Sequence, residues 1–333
     1  MREHSDIHEF LVRSGLVATV DEVCFEPLIG GVASDIWRVE SGSGTFVVKR
    51  ALAKLRVAQD WRVPTSRNAS EVAWLRLARA TVPDAAPAVL AHNAGAGLFA
   101  MEYLDPASHP VWKSELRNGI VDLAVAGEVG RRIGAIHAAT AGDEELARRF
   151  ANDVLFHGIR LEPYLEATAR VHSDLASSLL ALSRETLSTH IALVHGDVSP
   201  KNIIIGPRGP LFLDAECAWF GDPAFDPAFC LNHLLLKCLW RPSAAADFLA
   251  AFDILIGSYL AKVSWEPPEA LEARVARLLP GLFLARIDGK SPVEYVTEED
   301  HKDQVRRVAR PLIGAPPMRV ADIRNAWARE ISA

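Results

Sequence analysis

The chain has 333 residues, of which 50% are hydrophobic and 23% charged, a composition typical of a globular protein with room for two domains or two lobes. A formal net charge of −6 argues against nucleic acid as a partner. Most of the negative excess follows residue 104, where 30 acidic residues face 25 basic ones. That excess would suit a cationic small-molecule partner, although a mildly acidic surface is the commoner explanation.

The cysteines and the apolar segments bear on the compartment. The four cysteines form no C-x-x-C pair and no zinc-site spacing, and Cys230 and Cys238 fall in an apolar helical pattern expected in a core. The first six residues lack the basic start and apolar core of a signal peptide. No uncharged apolar run reaches the length of a membrane span. We therefore expect a cytoplasmic protein without membrane contact.

The first 104 residues predict an antiparallel sheet with helices beside it. Apolar and polar residues alternate in short runs separated by glycine turns, which is typical of a strand meander. A polar, irregular loop over Leu52–Asn68 precedes a segment with apolar residues at helical spacing. In chain order we predict a helix over Ile7–Ser14, two strands joined by a glycine turn at Gly30 and Gly31 within residues 27–39, a strand over Thr45–Arg50, a helix over Ser70–Ala80 opened by Glu71, and strands over Ala88–His92 and Gly97–Met101.

The remainder of the chain is predicted to be mainly helical. Pro106 ends the last N-terminal strand, so we place a hinge at about residues 101–106 and divide the chain into lobes at 1–104 and 105–333. Gly127 and Gly130 would let another helix approach closely. The predicted elements are a helix over Ile120–His137, a helical stretch over Leu161–Thr189, strands over Ile191–Val194, Ile203–Ile205 and Leu211–Leu213, and helices from Asp226 onward with breaks at Pro242, Pro267-Pro268, Pro280-Gly281 and Pro316-Pro317.

The most informative stretch runs from His195 to Asn202 and reads H-x-D-x-x-x-x-N, with Asp214 twelve residues further on. Transfer of a phosphoryl group from a nucleotide needs a carboxylate for the proton of the acceptor hydroxyl and oxygen ligands for magnesium. Asp197 is the candidate catalytic base, and the alternative is a loop aspartate that caps its own backbone. Asn202 and Asp214 are the candidate Mg²⁺ ligands. His195 is a further candidate catalytic residue in this loop, and we expect it to stabilise the loop by hydrogen bonding.

Several N-terminal residues are candidates for nucleotide binding. Lys49 lies on a strand after a glycine turn, where a kinase holds the α- and β-phosphates, and the alternative is an exposed strand lysine. Glu71 could pair with Lys49 and fix its direction, or it could simply be an acid favoured by the helix dipole. Gly30 and Gly31 would let backbone amides approach a phosphate. Lys201 could also reach a phosphate, although a solvated loop lysine is the simpler reading.

These motifs occur in one order over roughly residues 25–235, and the chain resembles the aminoglycoside phosphotransferase and choline kinase-like family, small-molecule relatives of protein kinases. The resemblance implies an α+β, bilobal protein-kinase-like fold, with a small lobe of antiparallel sheet plus one helix and a larger, mainly helical lobe. It also implies ATP or GTP bound by backbone groups of the hinge, Mg²⁺, and transfer to a hydroxyl. The positions that match are the glycine turn, Val47-Val48-Lys49, Glu71, the hinge Met101-Glu102-Tyr103-Leu104, Gly130–His137, His195–Asn202, Leu213-Asp214-Ala215-Glu216 and Gly221–Asp226.

Departures from protein kinases narrow the function. The sequence has Asp214-Ala215-Glu216 in place of D-F-G, and only eight residues separate Asp214 from Asp222. This leaves no room for a regulatory activation loop or a peptide-docking segment, so a protein kinase is disfavoured. A non-catalytic nucleotide-binding module remains the alternative to a small-molecule kinase, although the intact catalytic set argues against it. Asp222 and Asp226 are read as mainly structural.

The acceptor is the least defined part of the prediction. Its pocket should be built from the helices after Asp226. Four aromatic residues, Trp219, Phe220, His233 and Trp240, are candidates to line it, although each is more often a core residue. The pattern does not select between an antibiotic and a metabolite, between ATP and GTP, or among oligomeric states.

Overall fold

The computed structural model describes residues 4–28, 34–52, 64–65 and 67–332. The predicted glycine turn at Gly30 and Gly31 lies outside the described residues, as does most of the predicted loop between Leu52 and Asn68.

The N-terminal part is a five-stranded antiparallel sheet with strand order β1-β2-β3-β5-β4. Helix α1 packs on one face of this sheet, where Ile7, Phe10 and Leu11 join an apolar cluster with strand residues such as Val48. Strand alternation turns Lys49 to the opposite face and returns Arg50 to the α1 side, where its guanidinium lies 3.0 Å from Asp6. The elements are α1 (Ser5–Arg13), β1 (Cys24–Pro27), β2 (Ser34–Ser41), β3 (Gly44–Ala51), α2 (Arg67–Thr81), β4 (Val89–Asn93) and β5 (Leu98–Glu102).

Helices dominate the rest of the chain. The sheet ends at Glu102, and the first helix after it begins at Trp112; the lobe boundary after residue 104 stays a prediction. The helices are α3 (Trp112–Arg117), α4 (Leu123–Thr140), α5 (Glu144–Arg149), α6 (Asp153–Phe156) continued by a π-helix (His157–Glu166), α7 (Ala167–Val171), α8 (Ala176–Ser188), α9 (Phe225–Trp240), α10 (Ala245–Leu260), α11 (Pro268–Asp288), α12 (Glu299–Gly314) and α13 (Val320–Ile331).

Helices α4 and α10 approach closely because α4 carries glycines at their contact. A Cβ built on Gly130 would lie 2.1 Å from the carbonyl oxygen of Leu255, and one on Gly134 would lie 3.0 Å from the carbonyl oxygen of Tyr259. The prediction that small residues of this helix admit a neighbouring helix is thus confirmed. This contact positions α4, whose His137 lies beneath the catalytic loop and is hydrogen bonded to Asp226 at 3.1 Å.

Two short antiparallel strand pairs lie beside the catalytic residues. The first pair joins β6 (Ala192–Val194) to β9 (Trp219–Gly221), and the second joins β7 (Ile203–Gly206) to β8 (Gly209–Phe212). The strand β9 was not predicted, because three residues are too few to show alternation. The strands β7 and β8 lie between β6 and β9 in sequence. Pairing of β6 with β9 therefore brings the loop His195–Asn202, which follows β6, close to the segment of Asp214, which precedes β9.

Several sequence predictions about element boundaries are wrong, including that of α4, which spans Leu123–Thr140 and not Ile120–His137. Helix α2 begins at Arg67, one turn before the predicted start, so Glu71 lies in its second turn. The stretch Leu161–Thr189 is helical but interrupted, with His172 in a non-helical conformation. Pro280 does not break a helix but lies inside α11, where the apolar residues around it are buried in the main core. Burial of those residues offsets the one hydrogen bond that a proline removes.

One helical stretch of the described chain, Pro242–Leu260, is long and apolar enough to cross a membrane, with a mean hydropathy of 1.4. Its residues Phe248, Phe252 and Tyr259 are fully buried against the protein core. A central helix of a helical lobe has the same composition.

Candidate active site

The catalytic loop between β6 and β7 has a conformation that only glycine allows at position 196. Gly196 has φ +76°, and a Cβ there would lie 2.7 Å from the carbonyl oxygen of Cys217. The buried carboxylate of Asp226 accepts hydrogen bonds from the backbone amides of His195 at 2.7 Å and of Gly196 at 2.9 Å. One side chain at the start of α9 therefore fixes the entry to the loop, in agreement with the structural role predicted for Asp226.

His195 uses both ring nitrogens inside this loop. The amide of Asp197 donates to Nδ1 at 3.1 Å, which leaves Nε2 to donate to the carbonyl oxygen of Leu213 at 3.0 Å. The ring is fully buried and meets Trp74 edge-on at 4.6 Å. Burial lowers the pKa of His195, which favours this neutral form. His195 therefore connects the loop of Asp197 to the segment of Asp214 and acts as a positioning residue.

Asp197 is held as a carboxylate by two cations. Its Oδ2 lies 2.9 Å from Nη2 of Arg160 and 3.3 Å from Nζ of Lys201. Burial acts to raise the pKa of Asp197, but Lys201 and Arg160 outweigh it and hold the pKa below its ordinary value. No backbone amide of the described residues donates to this carboxylate, which speaks against the alternative of a self-capping loop aspartate.

Arg160 was missed by the sequence reasoning. It lies in the π-helix, and its Nε also donates to the carbonyl oxygen of Gly196, so it holds both the loop backbone and the Asp197 side chain. A single arginine in a helical stretch carries no spacing signal, and only the fold places it beside Asp197. Lys201, in contrast, is about half exposed, at 53%, as expected for a loop lysine, yet its ammonium is within ion-pair distance of Asp197.

A lysine-centred cluster joins the sheet, α2 and the segment after β8. Nζ of Lys49 lies 2.8 Å from Oε1 of Glu71 and 2.5 Å from Oδ1 of Asp214. Lys49 is only 3% exposed, so the alternative of an exposed strand lysine is wrong. Burial raises the pKa of Glu71 to about 7 despite Lys49. Burial also acts to raise the pKa of Asp214, but Lys49 and Lys201 hold it below its usual range.

The backbone at Asp214 is strained. This residue has φ 64°, a left-handed conformation that non-glycine residues adopt at a cost of roughly 1–3 kcal/mol. The turn directs the Asp214 carboxylate out of the β7–β8 pair toward Lys49, 165 positions away in sequence. A costly conformation that joins the two parts of the chain is a feature expected of a functional residue.

The oxygens of Asn202 and Asp214 fit a magnesium ion that also binds phosphate. The Asn202 amide nitrogen donates to the carbonyl oxygen of Asp197 at 3.1 Å, and no described residue hydrogen bonds to its Oδ1. Magnesium uses one or two protein oxygens together with nucleotide phosphates. Among the described residues, no three His, Cys, Asp or Glu side chains converge as a metal site. An ion at Asn202 and Asp214 would therefore depend on phosphate oxygens.

Of the two hinge amides, that of Glu102 donates to the carbonyl oxygen of Ala88 at 2.9 Å, and that of Leu104 is left for a nucleotide base. The Glu102 carboxylate accepts a hydrogen bond from the amide of Ala88 at 3.1 Å and lies 3.6 Å from the guanidinium of Arg79. Its side chain therefore holds the chain before β4 against the end of β5. The amide of Leu104 donates no hydrogen bond within the described residues. The predicted use of Glu102 and Leu104 through their backbone is compatible with this arrangement and stays a prediction.

Glu216 and Arg67 form a second ion pair at the edge of the cluster. Nε of Arg67 lies 2.9 Å from Oε2 of Glu216, and the same guanidinium donates to the carbonyl oxygen of Leu52 at 2.8 Å. Burial and the nearby Asp214 raise the pKa of Glu216. The sequence reasoning gave Glu216 no role, although its position two residues after Asp214 was a usable signal.

Two of the four aromatic candidates for the acceptor pocket are core residues. Trp219 is fully buried and stacks on Phe156 at 4.2 Å, with its indole nitrogen donating to Asp153. Phe220 is buried in the same core. His233 and Trp240, in contrast, lie on α9 among charged groups.

Known phosphotransferases have sequences related to this chain. A model of the "Phosphotransferase enzyme family" matches residues 25–262. Methylthioribose kinases from Yersinia enterocolitica and Escherichia coli are 24% and 26% identical over 244 and 246 residues. Each alignment covers 64% of this chain, and the chain spans about 60% of the length of these relatives.

The fold is also found in a solved kinase structure. Choline kinase from Cryptosporidium parvum superposes with a TM-score of 0.54 at 11% identity, over 99% of this chain and 94% of that one. The predicted α+β, protein-kinase-like architecture, with an N-terminal antiparallel sheet and a mainly helical remainder, is confirmed. The family model covers well over half of the sequence, and the chain belongs to the phosphotransferase enzyme family.

Proposed function

We propose that the protein is a small-molecule kinase that transfers the γ-phosphoryl group of ATP or GTP to a hydroxyl of its acceptor. The observation that carries the proposal is the convergence of Lys49, Glu71 and Asp214 beside the catalytic loop of Asp197. These residues come from distant parts of the chain, and the two ion pairs and the strained turn at Asp214 have no evident purpose in a passive fold. We assign residues 1–104 to the nucleotide-binding lobe and residues 105–333 to the catalytic lobe.

The nucleotide would be bound by charge and by backbone groups. Lys49, oriented by Glu71, offers its ammonium to the phosphates, and the hinge at Glu102 and Leu104 offers peptide groups to the base. Asn202 and Asp214 would hold Mg²⁺, which when bound neutralises charge that develops on the transferred phosphoryl group. Lys49 also pairs with Asp214.

Asp197 receives the proton of the attacking hydroxyl. The pKa of its carboxyl is held below the ordinary value, so the base is ionised at neutral pH. Arg160 and Lys201 restrict the direction of the carboxylate, and His195 and Asp226 fix the loop that carries it. A positioned base of this kind contributes roughly 10²–10⁴ in rate.

The test is acceptor-dependent ADP release over a panel of hydroxylated compounds. The relatives are named for methylthioribose and choline, so both belong in the panel together with aminoglycosides and sugars. We expect Asp197→Asn to lower turnover by roughly 10²–10⁴ with nucleotide affinity retained, and Asp214→Asn to weaken binding of the magnesium nucleotide. Asp247→Asn, an exposed carboxylate on α10, is the matched control.

The alternative function is a nucleotide-binding module of the same fold without catalysis. Tight nucleotide binding with no ADP release for any acceptor would favour that module. Wild-type turnover in Asp197→Asn would refute the assignment of Asp197 as the catalytic base. Unchanged nucleotide affinity in Asp214→Asn would refute the assignment of Asp214 as a magnesium ligand.

A further inference from the structure

One face of α9 leads away from the catalytic loop and carries polar groups deep in the protein. Asp226, which holds the loop, is followed on this face by Phe229, His233 and Lys237 at helical spacing. The guanidinium of Arg160 lies over the Phe229 ring, 5.8 Å from its centroid. The centroids of the Phe229 and His233 rings are 5.5 Å apart. His233 lies two helical turns, roughly 10 Å, beyond Asp226. Through Arg160, which pairs with Asp197, the face is therefore connected to the catalytic carboxylate.

Cations from three other elements act on this face. We define the cationic patch as Lys113 of α3, Lys201 of the catalytic loop, Lys237 of α9 and Arg286 of α11, with the imidazole of His233 among them. His233 is 7% exposed, and its pKa is well below the ordinary value, first through burial and then through Arg286, Lys237, Lys201 and Lys113. The four charged groups that act most strongly on this buried imidazole are thus all positive.

In the described part of the chain, carboxylates pair with only two of the four cations of the patch, Lys113 and Lys201. Asp197 is paired with Arg160 and Lys201, and Glu294 is paired with Lys113. Within the described residues, neither Lys237 nor Arg286 has a carboxylate at ion-pair distance. Arg286 instead donates to the Tyr164 hydroxyl at 3.1 Å and to Ser291.

Lys237 is the clearest sign of a missing partner. It is 1% exposed, and its ammonium is flanked by the rings of Trp240 at 4.5 Å and Tyr295 at 4.8 Å, without a hydrogen bond to any described residue. The rings offer roughly 0.5–2 kcal/mol of cation–π attraction. The effective cost of burying an unpaired ion is several kcal/mol, so this attraction alone does not compensate it.

We propose that the acceptor is an anion: a hydroxylated compound whose carboxylate or phosphate binds to the cationic patch while its hydroxyl reaches Asp197. The inference rests on the proposed kinase function and adds the class of its acceptor. The length of the α9 face places the anionic group several bonds from the reacting hydroxyl, as in a sugar acid or a sugar phosphate. The acidic excess of the C-terminal part suited a cation, but the charged groups that act on His233 have the opposite sign.

The first experiment measures anion binding without turnover. The full chain is saturated with magnesium and a non-hydrolysable ATP analogue, which fills the nucleotide phosphate site, and inorganic phosphate is titrated by calorimetry. We expect saturable binding that is weakened about tenfold to a hundredfold in Arg286→Met and Lys237→Met. Arg286→Lys, which keeps the charge, should retain more affinity than Arg286→Met. Arg277→Met is the control, because Arg277 lies on the same helix and pairs with Glu185.

The second experiment compares acceptors that share one carbon skeleton. ADP release is measured with gluconate, glucose 6-phosphate, neutral glucitol and cationic glucamine, and the first two distinguish carboxylate from phosphate. We expect an anionic member to have the highest kcat/KM, with its KM raised in Arg286→Met. Preference for glucitol or glucamine would overturn the anionic acceptor and leave the kinase function intact.

The two experiments separate the two proposals. Phosphate binding that is absent, or equal in wild type, Arg286→Met and Lys237→Met, overturns the cationic patch as an anion site. Patch-dependent phosphate binding together with no ADP release from any acceptor overturns the kinase function and retains the anion site. Loss of folding in Arg286→Met is recognised from its thermal midpoint, in which case Arg286→Lys and Lys237→Met decide.

Discussion

Replacing Lys237 by methionine should stabilise the protein, and the gain should depend on pH. Lys237 is buried between two aromatic rings without a carboxylate at ion-pair distance in the described residues. Burial, and then Lys113, lowers the pKa of its ammonium from 10.5 to about 7. Methionine is of similar length and carries no charge, so it fills the same space without the cost of a buried cation.

The size of the effect follows from the two pKa values. Between about pH 7 and the unfolded value of 10.5, the unfolded chain holds a proton that the folded protein releases. The contribution of Lys237 to the free energy of unfolding therefore rises with pH across this window and is lowest below about pH 7. A shift of about 3.5 units corresponds to about 5 kcal/mol of destabilisation below pH 7. About 3 kcal/mol of this should be recovered between pH 6 and pH 9.

Denaturant unfolding of the wild type and of Lys237→Met at several pH values measures this difference. The variant should be more stable at pH 6, and its advantage should shrink by about 3 kcal/mol at pH 9. Lys262→Met removes an exposed lysine and should show no such trend. An advantage that is independent of pH, or a variant less stable than wild type at pH 6, would refute the argument that an unpaired ammonium is buried here.

Three further outcomes are expected. Arg160→Met removes a cation that lowers the pKa of Asp197, so the acidic limb of the kcat/KM profile should move to higher pH, which a rate–pH titration would detect. Gly130→Ala places a Cβ against the Leu255 carbonyl and should cost at least about 1–3 kcal/mol by denaturant unfolding, whereas Gly257→Ala, with open space around it, should cost nothing. Glu71→Gln removes the charge that orients Lys49, so the KM for the magnesium nucleotide should rise, and an unchanged KM would show that Asp214 alone orients it.

The catalytic loop was predictable because its signal is local. The residues from His195 to Asn202 are contiguous in sequence, and their spacing alone predicts that Asp197 and Asn202 lie in one loop. Lys49 and Glu71 were predictable for a related reason, since strand alternation and helix position place them facing each other across α2 and β3. For these residues, short-range geometry already determines the direction of each side chain.

Arg160 and the start of α2 were not predictable on the same basis. The role of Arg160 arises only when the π-helix packs against the catalytic loop. Arg67 belongs to α2 although the residues before it read as an irregular loop, because its guanidinium is satisfied by Glu216 and by the Leu52 carbonyl. Such partners are set by tertiary packing, and no periodicity of the local sequence encodes them.

The net charge of the chain is negative, yet the charged groups that act most strongly on His233 are cations, and ion pairing explains the difference. On α12, Arg306 and Arg310 are matched by Asp288 and Asp174, so that surface contributes little net field. Around His233, Lys237 and Arg286 have no such partner within the described residues, and burial reduces the screening of their charges by solvent. A small unpaired and buried set therefore outweighs a larger number of paired surface carboxylates in determining which acceptor charge is favoured beside Asp197.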